Sequence, residues 1–250
     1  MRNLLHFEFR KLRQNFGFYL CTGIMLALQV LSALLTYTLA GGFFGEDVTG
    51  FSDGFSGILT AGAAGNLTTA LCVFVALFVC LDYTQKTIKT VYAKGYSREN
   101  VFFSKLVMTW VGATVMYLAV ALCAFVAYSA FFGVGEVDAG KFLAVFGVQY
   151  VSIMANVAMF YAITILLRSI GASIPIGIFV PSVITLILNL VDAFGELKIK
   201  LSDYWIGNFG MELYSVDVKS DRLWEILITS LIYIVLLIGG ASLLQRKQEA

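Results

Sequence analysis

The chain has 250 residues, 59% hydrophobic and 13% charged, with 21 Phe, a formal net charge of +1 and a mean hydropathy of +0.85. A water-soluble domain of this length cannot bury that much apolar surface, so the soluble globular class is excluded. The near-neutral total carries no information about partners, because charges of opposite sign are segregated along the chain.

Six stretches lack Asp, Glu, Lys and Arg altogether: Gln14 to Gly45, Gly54 to Leu81, Leu106 to Gly135, Phe142 to Leu167, Ser169 to Val191 and Ile226 to Gln245. A helix crosses the hydrocarbon core in roughly 20 residues, so each stretch is long enough to span once and too short to span twice. Runs such as Ala70 to Leu81 do not alternate apolar with polar, which excludes a β-barrel. Of the 17 Lys and Arg, twelve fall at the two ends, in the 82–105 loop and at Arg168, all on one side of a six-span chain. The expectation is an all-α membrane protein, a single transmembrane domain over 1–250, with six transmembrane helices and both termini cytoplasmic. The apolar run behind the basic N-terminus is too long for a cleaved signal, so that segment is expected to be retained.

In chain order, Leu5, Phe9, Leu12 and Phe16 recur at helical spacing among basic residues, which predicts an amphipathic interfacial helix over 1–17. The segment from Gly41 to Gly57 is rich in Gly and Phe and reads as an irregular loop or short interfacial helix before the second span. The 82–105 loop is longer than a plain connection needs. Thr84 to Lys94 can form a short amphipathic helix, Gly95 suits its end, and Ser97 with Glu99 suits the start of the next helix. Pro175 and Pro181, the only prolines, predict a kink or break in the fifth span, with a hinge as the alternative to a static bend. Residues 192–225 form the largest external segment, and its interleaved aromatic and charged residues predict a cap or re-entrant piece.

The six stretches contain no ionisable group of the kind proton- or sodium-coupled transport keeps inside a membrane. Their polar residues are uncharged, and Gln149, Ser152 and Asn156 fall on one helical face, either bonding helices together or lining a path. Cys21, Cys72, Cys80 and Cys123 lie within spans as small apolar fillers, and His6 alone supplies no metal site. Gly135 to Lys141 imitates the start of a P-loop, but Phe142 stands where Ser or Thr is required and no strand precedes it. The chain is therefore not expected to be an enzyme, to hold a metal or cofactor, or to bind nucleic acid.

At the 82–105 loop the sequence resembles the membrane subunits of ABC-2-type export transporters. Asp82, Thr87-Ile88, Gly95, Ser97-Arg98 and Lys105 are similar to that family's acidic residue, Gly-Thr-Ile, Gly-x-Ser-Arg and downstream Lys, with Lys86 in place of the first Gly. The resemblance implies a bacterial plasma-membrane permease whose loop is a coupling helix. Thr87, Ile88, Val91 and Tyr92 would then dock on a soluble ATPase, with Arg98 bracing the turn. It further implies two ATPase copies carrying ATP and Mg, and a second permease chain, identical or paralogous. The second and fifth spans would line the cargo path, with Asn66, Thr69, Thr185 and Asn189 as contacts. The implied cargo is amphipathic or hydrophobic, such as an antimicrobial peptide or drug, as in peptide export or bacteriocin immunity. A membrane-embedded regulator or scaffold, and a secondary transporter, are the competing readings.

Overall fold

The computed structural model describes residues 2–43, 53–85, 91, 93, 95–194, 200–216 and 218–248. Among these there is no strand, and six helices are long and apolar enough to cross a membrane. The crossing helices are α2 (Phe16–Phe43), α4 (Gly65–Thr84), α5 (Arg98–Phe132), α6 (Ala139–Leu167), α7 (Ile170–Phe194) and α9 (Ser220–Gln248). Around them lie α1 (Arg2–Gln14), α3 (Gly54–Ala63), a 3-10 turn at Leu201–Tyr204 and the single turn α8 (Phe209–Glu212).

Helix α1 is amphipathic, as expected, and of the expected stripe of Leu5, Phe9, Leu12 and Phe16, Leu12 is buried and Leu5 packs half-buried against the core, while Phe9 and Phe16 point away from it. Leu4, Glu8 and Leu12, spaced by four, are buried on the face packed against α5. A carboxylate at the centre of the buried stripe hides it from a search for apolar periodicity. Asn15 ends α1 and accepts the Gly17 amide at 2.8 Å, so the chain turns into α2 where expected. A Cβ at Gly17 would lie 2.9 Å from a Leu77 methyl, which marks the close approach of α2 to α4.

The second charge-free stretch is not one helix. It breaks at Ala64, whose backbone is extended (φ −63°, ψ 127°), leaving α3 and α4 on either side. Of the two alternatives for Gly41 to Gly57, an irregular loop or a short interfacial helix, the described part is helical: from Gly54 onward the chain is a helix packed on α5 and α6. Its glycines are contact surfaces. A Cβ at Gly57 would fall 2.6 Å from the Tyr128 ring, and one at Gly62 would fall 2.4 Å from Gln149 Oε1. Gly62 thus meets α6 about 15 Å from the start of that helix.

Helices α4 and α6 form the centre. Helix α4 buries Leu67, Leu71, Phe74, Val75, Phe78 and Val79, and α6 packs along α9 and α4. Helix α5 has 35 residues, about 52 Å and well beyond one crossing. It starts at Ser97, whose hydroxyl accepts the Asn100 amide, after Gly95 in the left-handed region at φ 84°. Helix α7 lies at the edge, with only Ser173 and Gly177 buried. Of the expected kink or break, a break does not occur: the helix runs continuously through Pro175 and Pro181, because each proline removes one bond of the ladder while the turns on either side persist. The Ser182 hydroxyl adds a bond to the Ile178 carbonyl at 2.7 Å beside one of these gaps. All four cysteines are free thiols, three of them buried.

Candidate functional site

Four charges from three helices meet where α4 ends and α5 begins. Lys11 pairs with Asp82 Oδ1, Lys105 pairs with Asp82 Oδ2, and Lys105 Nζ lies 3.4 Å from Glu8 Oε1. The Glu8, Asp82 and Lys105 side chains are almost wholly buried. Lys11 also stands 5.2 Å over the Phe78 ring, and burial lowers its ammonium pKa, with Glu8 opposing that shift. Two cations and two anions cancel, which makes burial of the set tolerable. The cluster ties α1 to the helices on either side of residues 86–94, α4 and α5. In the sequence Asp82 and Lys105 border charge-free stretches and read as the ends of the 82–105 loop, and Glu8 and Lys11 draw no notice. The available signal was Glu8 lying four residues after Leu4 and four before Leu12.

At the far end of the bundle α4, α6 and α7, together with residues 206–211, enclose a cavity of about 380 Å3. Its polar lining includes Thr68, Thr69, Ser152, Asn156, Ser182 and Thr185. The polar face of α6 divides its work. Gln149 is fully engaged: it accepts from the Tyr117 hydroxyl at 2.9 Å and donates to the carbonyls of Leu59 and Leu213 at 2.8 and 3.2 Å. It pins α5, α3 and the segment after α8 to one point. Gln149, Ser152 and Asn156 all line the cavity, but only Gln149 has its side-chain bonds taken up by other elements.

Residues 200–216 form a cap that places Ile206, Gly207, Gly210 and Met211 in the cavity wall. Ile206, Phe209 and Leu213 are buried. The Asp192 carboxylate accepts the amides of Leu201 and Ser202 at 2.9 and 2.7 Å. Arg222 grips Glu212 through two bonds of 2.7 and 2.8 Å and donates to the Asp203 carbonyl.

Of the residues proposed from sequence as cargo contacts, Thr69 and Thr185 line the cavity, while Asn66 and Asn189 are exposed and lie outside its lining. Thr185 accepts the Trp205 indole N–H at 2.8 Å, and Asn189 accepts from Asn208 at 3.4 Å, so both also hold the cap. Pro181 lines the cavity and Pro175 is exposed on α7. Of the docking residues, Thr87, Ile88 and Tyr92 lie outside the described residues. Val91 is half-buried and packs on Leu4 and Val101, and Arg98 is exposed in the first turn of α5.

A family profile described as ABC-2 family transporter protein matches residues 4–192, well over half of the chain and including the cluster, the loop, α3 and α7 up to Asp192. The chain belongs to the ABC-2 transporter family. No curated protein matches it. As an ABC-2 chain with six apolar helices it is a multi-pass membrane protein, and the bacterial plasma membrane is the usual setting of the family. ABC-2 permeases are transmembrane components, generally not catalytic themselves, and the family implies an ABC ATPase partner.

Proposed function

We propose that this chain is the permease of an ATP-driven exporter. It moves an amphipathic or hydrophobic cargo, a peptide or a drug, out of the cell on the work of a separate ATPase. The observation that carries this reading is the buried charge cluster. A docked ATPase pushes on the loop between Asp82 and Lys105, and these two residues are bound to each other and to α1 in the apolar interior. A displacement of the loop is therefore passed to α4 and α5 together instead of being absorbed by a slack connection. Thr87, Ile88, Val91 and Tyr92 would supply the docking face and Arg98 the brace. Two permease chains and two ATPases, which bind ATP and Mg, would make the working unit. The α4 and α7 edges would line the route, and Pro175 and Pro181 would let α7 flex.

The test is a gentle detergent pull-down of the tagged chain from its native host, with mass spectrometry and an ATPase assay on the eluate. The expected result is a stoichiometric ATPase whose turnover falls when Ile88→Asp is introduced. Recovery of the chain alone, in good yield and without ATPase activity, overturns the reading in favour of a membrane scaffold.

A further inference from the structure

The cavity beneath the cap has a chemistry more specific than an apolar route requires. Ser152 is 3% exposed and Asn156 8% exposed, yet both line the open space. The Asn156 amide nitrogen donates to the Ser152 carbonyl at 3.0 Å. Among the described residues, neither the Asn156 amide oxygen nor the Ser152 hydroxyl has a protein partner. Both residues are more than nine-tenths buried and line the cavity, so the partner of these two atoms is whatever occupies it. None of the described residues lining the cavity is Asp, Glu, Lys, Arg or His. The rest of the wall combines uncharged polar groups (Thr68, Thr69, Gln149, Ser182 and Thr185) with an apolar surface that includes Ile153, Phe160, Ile178 and Ile206. The cavity volume of about 380 Å3 lies in the range of small-molecule sites. Thr69 on α4 and Ser182 on α7 line it and are also exposed, so it opens sideways between these helices, where a bilayer would lie.

We infer that the cavity between α4, α6 and α7 is a binding site for an uncharged amphiphile, one with a hydroxyl or amide head on an apolar body. The head donates a hydrogen bond to the Asn156 amide oxygen and exchanges one with the Ser152 hydroxyl. The apolar body lies against Ile153, Phe160 and Ile178 and leaves through the lateral opening. A phosphate, carboxylate or ammonium head would be stripped of water with no counter-charge to meet it. A plain hydrocarbon would leave Ser152 and Asn156 unsatisfied. This assignment concerns binding within one chain and stands independently of the ATPase.

The test is photoaffinity labelling of the full chain in lipid nanodiscs, with no ATPase present. The probes are a diazirine-bearing monoacylglycerol and a phosphatidic acid with the same chains. The monoacylglycerol should label peptides of α6 and α7 that line the cavity. Its labelling should fall about fivefold in Ser152→Leu and in Asn156→Leu, the factor that corresponds to one neutral hydrogen bond. Leu143→Ala, on an exposed part of α6, should label normally. An unlabelled fatty amide should compete on the unmodified chain, a readout that needs no variant to fold. Native mass spectrometry of the chain purified from its host separates the sources. A retained neutral lipid assigns the site to the bilayer, and a retained uncharged peptide assigns it to cargo. Equal labelling by phosphatidic acid, or labelling that neither the variants nor the competitor reduce, overturns the proposal and leaves a water-filled space. The export reading is tested by ATPase recovery and is untouched by that outcome.

Discussion

Replacing Lys105 with Met keeps the length of the side chain and removes one of two buried cations. Glu8 and Asp82 are then left to share Lys11, with a net negative charge in a site almost closed to water. Breaking a buried ion pair from one side costs about 3–5 kcal/mol, because the remaining charge keeps its desolvation penalty. For a chain of this size that corresponds to a fall of about 10 °C in the melting midpoint. The assay is thermal unfolding of the detergent-purified protein followed by size-exclusion fluorescence. The double variant Lys105→Met with Asp82→Asn restores the charge balance between Glu8 and Lys11, and should recover about 2 kcal/mol of the loss. A single variant that melts within 1 °C of the parent, or a double variant that loses the sum of the two single effects, would refute the account of the cluster as one coupled unit.

Three further outcomes are expected. Gln149→Leu strips partners from Tyr117, Leu59 and Leu213 at once and should cost about 3 kcal/mol, read in the same melting assay. Gly57→Val forces a branched side chain into the Tyr128 ring and should cost about 1–3 kcal/mol, while the same change at Gly147, where a Cβ meets nothing, should cost well under 1 kcal/mol. Arg222→Lys cannot reproduce the paired bonds to Glu212 and should raise hydrogen exchange over residues 200–216, leaving exchange in α4 and α6 unchanged.

The number and order of the spans were legible because a charge is costly in a bilayer, so its absence over a long run is a strong signal. The cap was legible for a related reason, since residues such as Ile206 and Phe209 cannot lie free among charges in water. Helix α3 was not legible as such. Glycine between helices is ambiguous from sequence: the lack of a side chain that frees a turn also allows the close approach seen at Gly54, Gly57 and Gly62. The charge cluster was invisible for a different reason. Asp82 and Lys105 were noticed as part of the loop pattern and Glu8 and Lys11 were not, because pairing Glu8 with a lysine 97 positions later is a tertiary fact that no local pattern encodes. Within the cavity, Thr69 and Thr185 were singled out as polar residues of the two spans that the family resemblance placed along the path. Asn66 and Asn189 carry the same polarity and fall outside its lining, since polarity does not say which way a helix is turned.

The bond from Gln149 to Leu59 and Leu213 has a consequence for biogenesis. During synthesis Leu59 leaves the ribosome long before Leu213, and at about 5–20 residues per second the interval is roughly 8–30 s. For the first two thirds of it α3 lacks a complete α5 and α6, and to its end Gln149 lacks the Leu213 carbonyl. Its extended junction at Ala64 and its bare glycine face must wait in the insertion machinery or at the membrane edge, whereas α7, apolar and lightly packed, can enter the bilayer on its own account. Insertion order and assembly order therefore differ in this chain. Early truncation should strand the second crossing in an incomplete state, even though every residue of that crossing is present.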